Sequence, residues 1–547
     1  MDIDQFEKLR PCGRLETYST ARHHLGFYNN VGLTATYTTS SDSIRPIQDL
    51  VFAALHHVVA EHPNLSAIPV NEDKSYPDVY FARLPDFDLR RCVDFHTRSY
   101  SIPRADGVDT EVDKVLRQQH CLNFKSHIPG PYWRLIVTAF PDDRQTFTAS
   151  WVFHHALADG ASAMIFHETF LEGLNKDMRH PMKDVERLVR PPSLPLTPAL
   201  EDLHPMTTSW PFFLSAVAGS VMPGYFRRTP WTGAPIAQSP PQSTIRSVIL
   251  SADTTRTFAA WCREQQTSVT AALTTLLALA IFQVTPPSAN EIAIGMPISL
   301  RPFLALARNQ MANAITNHTA SFRRSDVLNE NEDEDIPQIT RRVKAELTCE
   351  VKKKGADNPI ALLKYVSNMH TFFTEKLGTE RETTAEVSNL GVYRPRVRGL
   401  EENIVVPEQE HQVGDGAQSW KIGRMLFSQS YNHTGPMVSL SAVTGGDKCL
   451  AMSFTWPVDL ETTGLDEEKL GGKRYHPKLV PGLMEQFVLS LIREGETEGP
   501  TGSPTVAGGI PDRQTLFALV AGEVVDEEVK EQDEINRALA DRAKLAK

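Results

Sequence analysis

Cysteine is scarce in this chain. Six occur in 547 residues, at 12, 92, 121, 262, 349 and 449, and none lies within metal-ligand spacing of another. That scatter argues against a zinc site and against a disulfide framework. Positive charge is in deficit too. A net charge of −11 argues against nucleic acid or an anionic membrane as the main partner, while leaving room for a local basic patch. No internal repeat is evident. The opening stretch, MDIDQFEKLRPCGRLE, has no apolar signal-type core. The cytoplasm is therefore the expected compartment, and the sequons at Asn64, Asn317 and Asn432 are expected to be unglycosylated.

Long uncharged runs are few. WPFFLSAVAGSVMPGYF (210–226) is short for a membrane span, and Pro211, Gly219 and Pro223 weaken a helix there. It is expected to be a packed or channel-lining crossover, with an interfacial lipid contact as the alternative. SVTAALTTLLALAIFQV (268–284) repeats Leu273, Leu276, Leu277 and Ile281 at helical steps, the pattern of a buried core helix. No transmembrane span is expected.

What is present is the composition of an ordinary globular protein, too long for one core. Residues 1–185 read as a first α/β lobe. It has a helix over 47–65, adjacent strands over 131–140 and 145–155, and a helix over 161–175. His56, His57 and His62 fall on the first of these helices and read as packed or surface histidines. Residues 186–240 are a proline-rich crossover. Residues 241–495 read as a second α/β lobe, with strands over 246–251, 292–302, 383–393, 423–435, 437–446 and 448–460. The acidic run 329–338 reads as a solvated loop. Residues 496–547 read as a linker and a charged tail.

Within this frame, WVFHHALADG (151–160) carries the chemistry. Alternation along the preceding strand sets His155 with Phe147, Ala149, Trp151 and Phe153, and His154 with Thr148, Ser150 and Val152. The two imidazoles thus face opposite ways and cannot share a task. His155, at the strand end, is the candidate base. A neutral imidazole can take a proton from a hydroxyl or amine as it attacks a carbonyl. From a thioester the leaving thiol, with a pKa near ~8.5, departs without help from a metal. Asp159 in the following turn can cap the next helix or pair with an arginine, and Gly160 is expected to relax the backbone there. No G-x-S-x-G elbow lies nearby, which argues against a serine hydrolase. The plain alternative for His155 is a hydrogen-bonded core histidine.

FHHALADGASA resembles the HHxxxDG signature of the chloramphenicol-acetyltransferase-like superfamily. The blocks CGRLETYSTARHHLGFYNNVGLTATY, HHVVAEHPNLSA, CLNFKSHIPGPYWRLIV, LPLTPALEDLHP, EVSNLGVY and FSQS are similar to fungal alcohol acetyltransferases, over about 12–490. The resemblance implies two α/β lobes of mixed sheets flanked by helices, with a tunnel at their interface. It implies acyl-CoA-dependent O-acyl transfer, with acetyl-CoA as co-substrate and no resident cofactor or metal. His155 is then the general base, Asp159 a structural residue bridged to Arg301 in GMPISLRP, and His154 orienting or merely packed. Ser388 and Asn389 are candidates for donor contact or oxyanion stabilisation, with sheet-edge hydrogen bonding as their plain alternative. Asp459 stands near where plant relatives carry a DFGWG block that this chain lacks. Two other readings stay open. One is a condensation-type or N-acylating enzyme of secondary metabolism fed by a carrier protein or CoA; the other is a non-catalytic binding protein of the same fold. The expected partners are an acyl-CoA and a small alcohol or amine. A monomer is expected, with a peripheral lipid contact as an option.

Overall fold

A computed structural model describes residues 5–40, 45–103, 107–124, 130–177, 186–221, 230–328, 336–395, 419–462 and 477–497. Packing divides the chain into two units. One holds Met1–Ala252, Ala293–Ala320 and Glu346–Pro457; the other holds Asp253–Ile292, Ser321–Ala345 and Val458–Lys547.

The β-branched and aromatic run TFTASWVF forms the strand Thr146–Phe153, the central member of a five-stranded sheet. The strand order is Lys421–Gln429, Val31–Thr38, Thr146–Phe153, Trp133–Ala139 and Val93–Thr97. All pairings are antiparallel except the last. Both faces of the central strand are covered. Phe147, Ala149, Trp151 and Phe153 are fully buried in the main core. The Trp151 ring stacks on Phe166 of the helix Gly160–Asp177, with centroids 4.3 Å apart. Burial of a ring that size stabilises the fold by about 4–6 kcal/mol. On the opposite face Ser150 accepts a hydrogen bond from Thr34 Oγ1 at 2.8 Å, and Val152 packs with Ile136 and Leu426.

A second, six-stranded sheet runs Ser243–Leu250, Leu450–Pro457, Val438–Thr444, Ala385–Val392, Glu291–Ser299, Ile315–Arg323. Its register is parallel where Ala385–Val392 meets Val438–Thr444 and Glu291–Ser299, and antiparallel from Val438–Thr444 outward to Ser243–Leu250. The mixed α/β class expected from the sequence is what the coordinates hold. Local pattern could not show where the strand Lys421–Gln429 goes. It pairs with Val31–Thr38, nearly four hundred residues earlier in the chain. Its carbonyls at Phe427 and Gln429 accept from Ser453 Oγ (2.6 Å) and Thr455 Oγ1 (3.0 Å) of the second sheet.

In the other unit, the expected core helix spans Val269–Val284. Ser268 caps it, accepting from Ala271 N at 3.2 Å, and nearly every side chain is buried. It packs against the helix Val480–Thr497. Among the described residues no single helix is long and apolar enough to cross a membrane.

The reading of 210–226 as packed or channel-lining is corrected. Its described part is the helix Trp210–Val221, with Trp210 76% exposed, Leu214 59% and Val217 42%. Pro211 is tolerated because it falls in the first turn, where the N–H has no helical partner. The run has no charged face to balance an apolar one, so its periodicity could not say whether anything covers it. The irregular crossover is nonetheless pinned. Arg83 donates to the Pro192 and Leu194 carbonyls, and Arg10 Nε to the Thr197 carbonyl at 2.9 Å. The acidic stretch 329–335 and the tail 498–547 lie outside the described residues. All six cysteines are free.

Candidate active site

The central strand stops at Phe153, so both histidines lie past its end, in the turn to the helix Gly160–Asp177. Three distant residues hold that turn. Asn64 Nδ2 donates to the Leu157 carbonyl (2.8 Å), Asn313 Nδ2 to the His155 carbonyl (2.8 Å), and the Tyr132 carbonyl accepts from His154 N (2.9 Å). Burial of Asn64 also removes it as a glycan acceptor.

Asp159 performs both tasks the sequence allowed. As helix cap its Oδ1 accepts from Ser162 N at 2.8 Å. Arg301, just past the strand Glu291–Ser299, lies against it, with Nη2 2.9 Å from Oδ1 and Nε 3.2 Å from Oδ2. Arg301 also donates to the Gln310 and Ala312 carbonyls and to Ser162 Oγ. Burial alone would raise the Asp159 carboxyl, but the guanidinium outweighs it and holds the group below the usual range. These bonds tie helix, turn and the loop before Ile315. Among the described residues none reaches the His155 ring.

Gly160 serves a different purpose from the one expected. Its backbone is outside the left-handed region, and a Cβ there would come 2.3 Å from Leu390 Cδ2. It is small because a neighbouring strand side chain fills the space.

The two histidine rings meet different surroundings. His154 is buried, its ring 4.3 Å from that of His23. Ala156 N donates to its Nδ1 at 3.0 Å, so the proton resides on Nε2, which lies 3.6 Å from Glu72 Oε2. His23 mirrors this. Phe124 N donates to Nε2 (2.9 Å), and Nδ1–H donates to the same Glu72 oxygen (2.7 Å). Burial would push the Glu72 carboxyl up, but the imidazoles reverse that and keep it ionised. His23, Glu72 and His154 are close enough to suggest a cation site. Yet each ring nitrogen that faces the carboxylate carries a proton, because the far nitrogen accepts from the backbone. Metal-bound histidines show the reverse arrangement.

His155 borders a cavity of about 370 Å³. Its Nδ1 is sealed in the protein, so Nε2 is the nitrogen a bound molecule can meet. Burial, and next the nearby Arg22 cation, lower its pKa to about 4, against the pull of the His155 and Ala158 backbone and of Asp159. The ring is therefore neutral at pH 7. Ser388 and Asn389, on the strand Ala385–Val392, line the same cavity. Ser388 makes no side-chain hydrogen bond among the described residues, while Asn389 Oδ1 accepts from Gly391 N at 2.9 Å.

The cavity also holds residues that received no role from the sequence. Tyr28, its ring 5.9 Å from that of His155, donates to Gln429 Oε1 (2.7 Å), and Gln429 Nε2 donates to Glu386 Oε1 (3.2 Å). Arg22 lies on the wall beside Tyr28. The signal for them was present: they fall in the blocks RHHLGFYNN, EVSNLG and FSQS. Elsewhere, His62 bonds Thr169 Oγ1 at 2.9 Å, His56 meets the Glu186 carbonyl at 2.7 Å, and His57 pairs with Glu61. All three are structural, as expected. Asp459 is exposed at the start of a short helix and is not among the residues that line the cavity.

Solved structures show the fold to be that of the chloramphenicol-acetyltransferase-like acyltransferases and condensation domains. The trichothecene 15-O-acetyltransferase TRI3 of Fusarium sporotrichioides aligns with a TM-score of 0.60, over 90% of this chain and 98% of its own, at 12% identity. A starter condensation domain of rhizomide synthetase, solved with C8-CoA, aligns at 0.53 over 90% and 95%, at 10% identity. A family model described as alcohol acetyltransferase matches residues 106–470. A probable alcohol acetyltransferase of Aspergillus fumigatus, crmB, is 33% identical over 464 residues, covering 81% of this chain and 94% of that protein. The chain belongs to the alcohol acetyltransferase family. A probable alcohol acetyltransferase of Fusarium pseudograminearum, FCK4, is 24% identical over 84% of this chain and 92% of its own. The chain is thus an acyltransferase, an enzyme acting on a hydroxyl.

Proposed function

We propose that this enzyme moves the acetyl group of acetyl-CoA to an alcohol, with His155 as general base. The observation that carries this is a neutral imidazole that lines the cavity with its Nδ1 sealed, which leaves Nε2 for the substrate. As the alcohol oxygen attacks the thioester carbonyl, Nε2 takes the hydroxyl proton. The tetrahedral intermediate collapses by breaking the C–S bond, and the imidazolium returns the proton to the departing CoA sulfur. Ester and free CoA are the products. Base assistance of this kind contributes about 10²–10⁴-fold.

Asp159 and Arg301 hold the turn that presents the ring. His154 is a packed neighbour that fixes the turn through Ala156. The Ser388 hydroxyl lines the cavity with no partner of its own among the described residues, which supports a role as donor to the oxyanion. The enzyme is proposed to act as a monomer. The exposed Trp210, Leu214 and Val217 support a peripheral lipid contact of a cytoplasmic enzyme. The test is free-thiol release from acetyl-CoA with purified protein and a panel of alcohols. Thiol release that depends on the alcohol, and is lost in His155→Ala, supports the proposal; full activity in that variant ends it.

A further inference from the structure

Arg22 has no part in acyl transfer as described above. It occupies the last turn of the helix Arg14–His24 and is only 7% exposed. Its Nε is sealed and has no hydrogen-bond partner, and no donor of its guanidinium meets an acceptor among the described residues. The rings of Tyr18 and Tyr28 flank it, with centroids 4.4 and 4.5 Å from Cζ.

Stacking on two rings and a place at a helix C-terminus offset part of the cost of burial. Both leave the in-plane N–H donors unanswered, and a buried donor without a partner costs about 1–3 kcal/mol. Buried charges are ordinarily paired. Glu386 shares the cavity wall and feels the Arg22 cation, but its carboxylate accepts from Gln429 Nε2 and makes no close salt bridge with Arg22. Arg22 lines the same cavity as His155.

We propose that Arg22 anchors a carboxylate of the acceptor, so that the preferred acceptor is a hydroxy acid rather than a neutral alcohol. The inference deepens the acyl-transfer reading and rests on it. The planar five-donor fork matches a single carboxylate. A CoA diphosphate suits the place poorly, because one cation would have to meet several negative charges. The Tyr28 ring is a neighbour of both groups, its centroid 4.5 Å from the guanidinium Cζ and 5.9 Å from that of the imidazole, so one small acceptor can reach both. Val31, Met164, Ile315, Ile360 and Phe427 offer apolar surface to the rest of an aliphatic acceptor. The arrangement has a catalytic corollary. A carboxylate bound on Arg22 offsets the cation that depresses His155, and so strengthens the base when the acceptor is in place.

The test uses the full-length chain without acetyl-CoA. Calorimetric titration compares 3-hydroxyoctanoate with its methyl ester, in the wild type and in Arg22→Gln. The wild type should bind the acid about 10- to 100-fold more tightly than the ester, the worth of a charged hydrogen-bond pair. Arg22→Gln should erase most of that ratio, and Arg22→Lys should restore part of it. Equal binding of acid and ester by the wild type overturns the proposal even if no variant folds. A variant that weakens CoA binding while keeping the acid-to-ester ratio overturns it in favour of phosphate. Because no donor is present, binding of the acid by a protein that releases no thiol with any alcohol sinks acyl transfer alone. Turnover of ester and acid at equal efficiency sinks the carboxylate site alone.

Discussion

His154 and His155 are joined by one peptide bond, yet the first ring is walled in by His23, Phe124 and Tyr132 while the second borders a cavity. Burial, first among the causes, lowers both to a pKa of about 4. Proton affinity therefore does not tell the proposed base from the packed residue. Access does: the His154 nitrogens face a backbone N–H and a buried carboxylate, whereas His155 lines a cavity and has only its Nδ1 sealed. A perturbed pKa indicates low dielectric, and only geometry assigns a task to the group.

The comparison breaks most sharply by substitution. His155→Ala should lower kcat/KM by about 10²–10⁴-fold with little change in thermal midpoint. His154→Ala should instead cost about 2–4 kcal/mol of stability, read by chemical denaturation, through the void left in a sealed pocket. If His154→Ala lowered kcat alone, the division of roles would be wrong. Arg301→Ala, which strands the buried Asp159 carboxylate, should cost at least as much stability. The loss should be about 3–5 kcal/mol, and a variant as stable as the wild type would show that the pair does not hold the turn.

The pH dependence separates access from burial. The acid limb of kcat/KM should fall near pH 4, because His155 must be neutral to act and protonates only there. A limb near the ordinary imidazole value, about 6.5, would contradict this. Stability should behave differently. His154 and His167 have folded values of about 4 and His120 about 3, below the unfolded value of about 6.5. Between those values the unfolded chain binds more protons. Stability is therefore full above about pH 6.5 and falls as pH drops, by up to ~1.4 kcal/mol per pH unit for each of these buried rings. Denaturation midpoints flat from pH 7 to 4.5 would refute it. The smallest effect is expected at the surface. Trp210→Ser should change stability by less than about 0.5 kcal/mol while reducing co-sedimentation with neutral phosphatidylcholine vesicles; unchanged sedimentation would remove the lipid contact.

Local order reveals some of this protein and conceals the rest. Two-residue alternation marked the strand that leads to the histidines, three- and four-residue steps marked the buried helix at 269–284, and HHALADG marked the proposed base and the capping carboxylate. These are short-range facts, because dihedral preference and face assignment repeat within a few residues. The resemblance added Arg301. Chain topology alone decided the partners. It set the 421–429 strand beside 31–38, placed Glu72 against His154, and left Arg22 unpaired within the cavity. The helix at 210–221 makes the same point in reverse. Its apolar composition records a preference for burial, whereas exposure depends on whether another segment arrives to cover it. Contacts between residues hundreds of positions apart are chosen by the packing of the whole chain, and no periodicity carries that information.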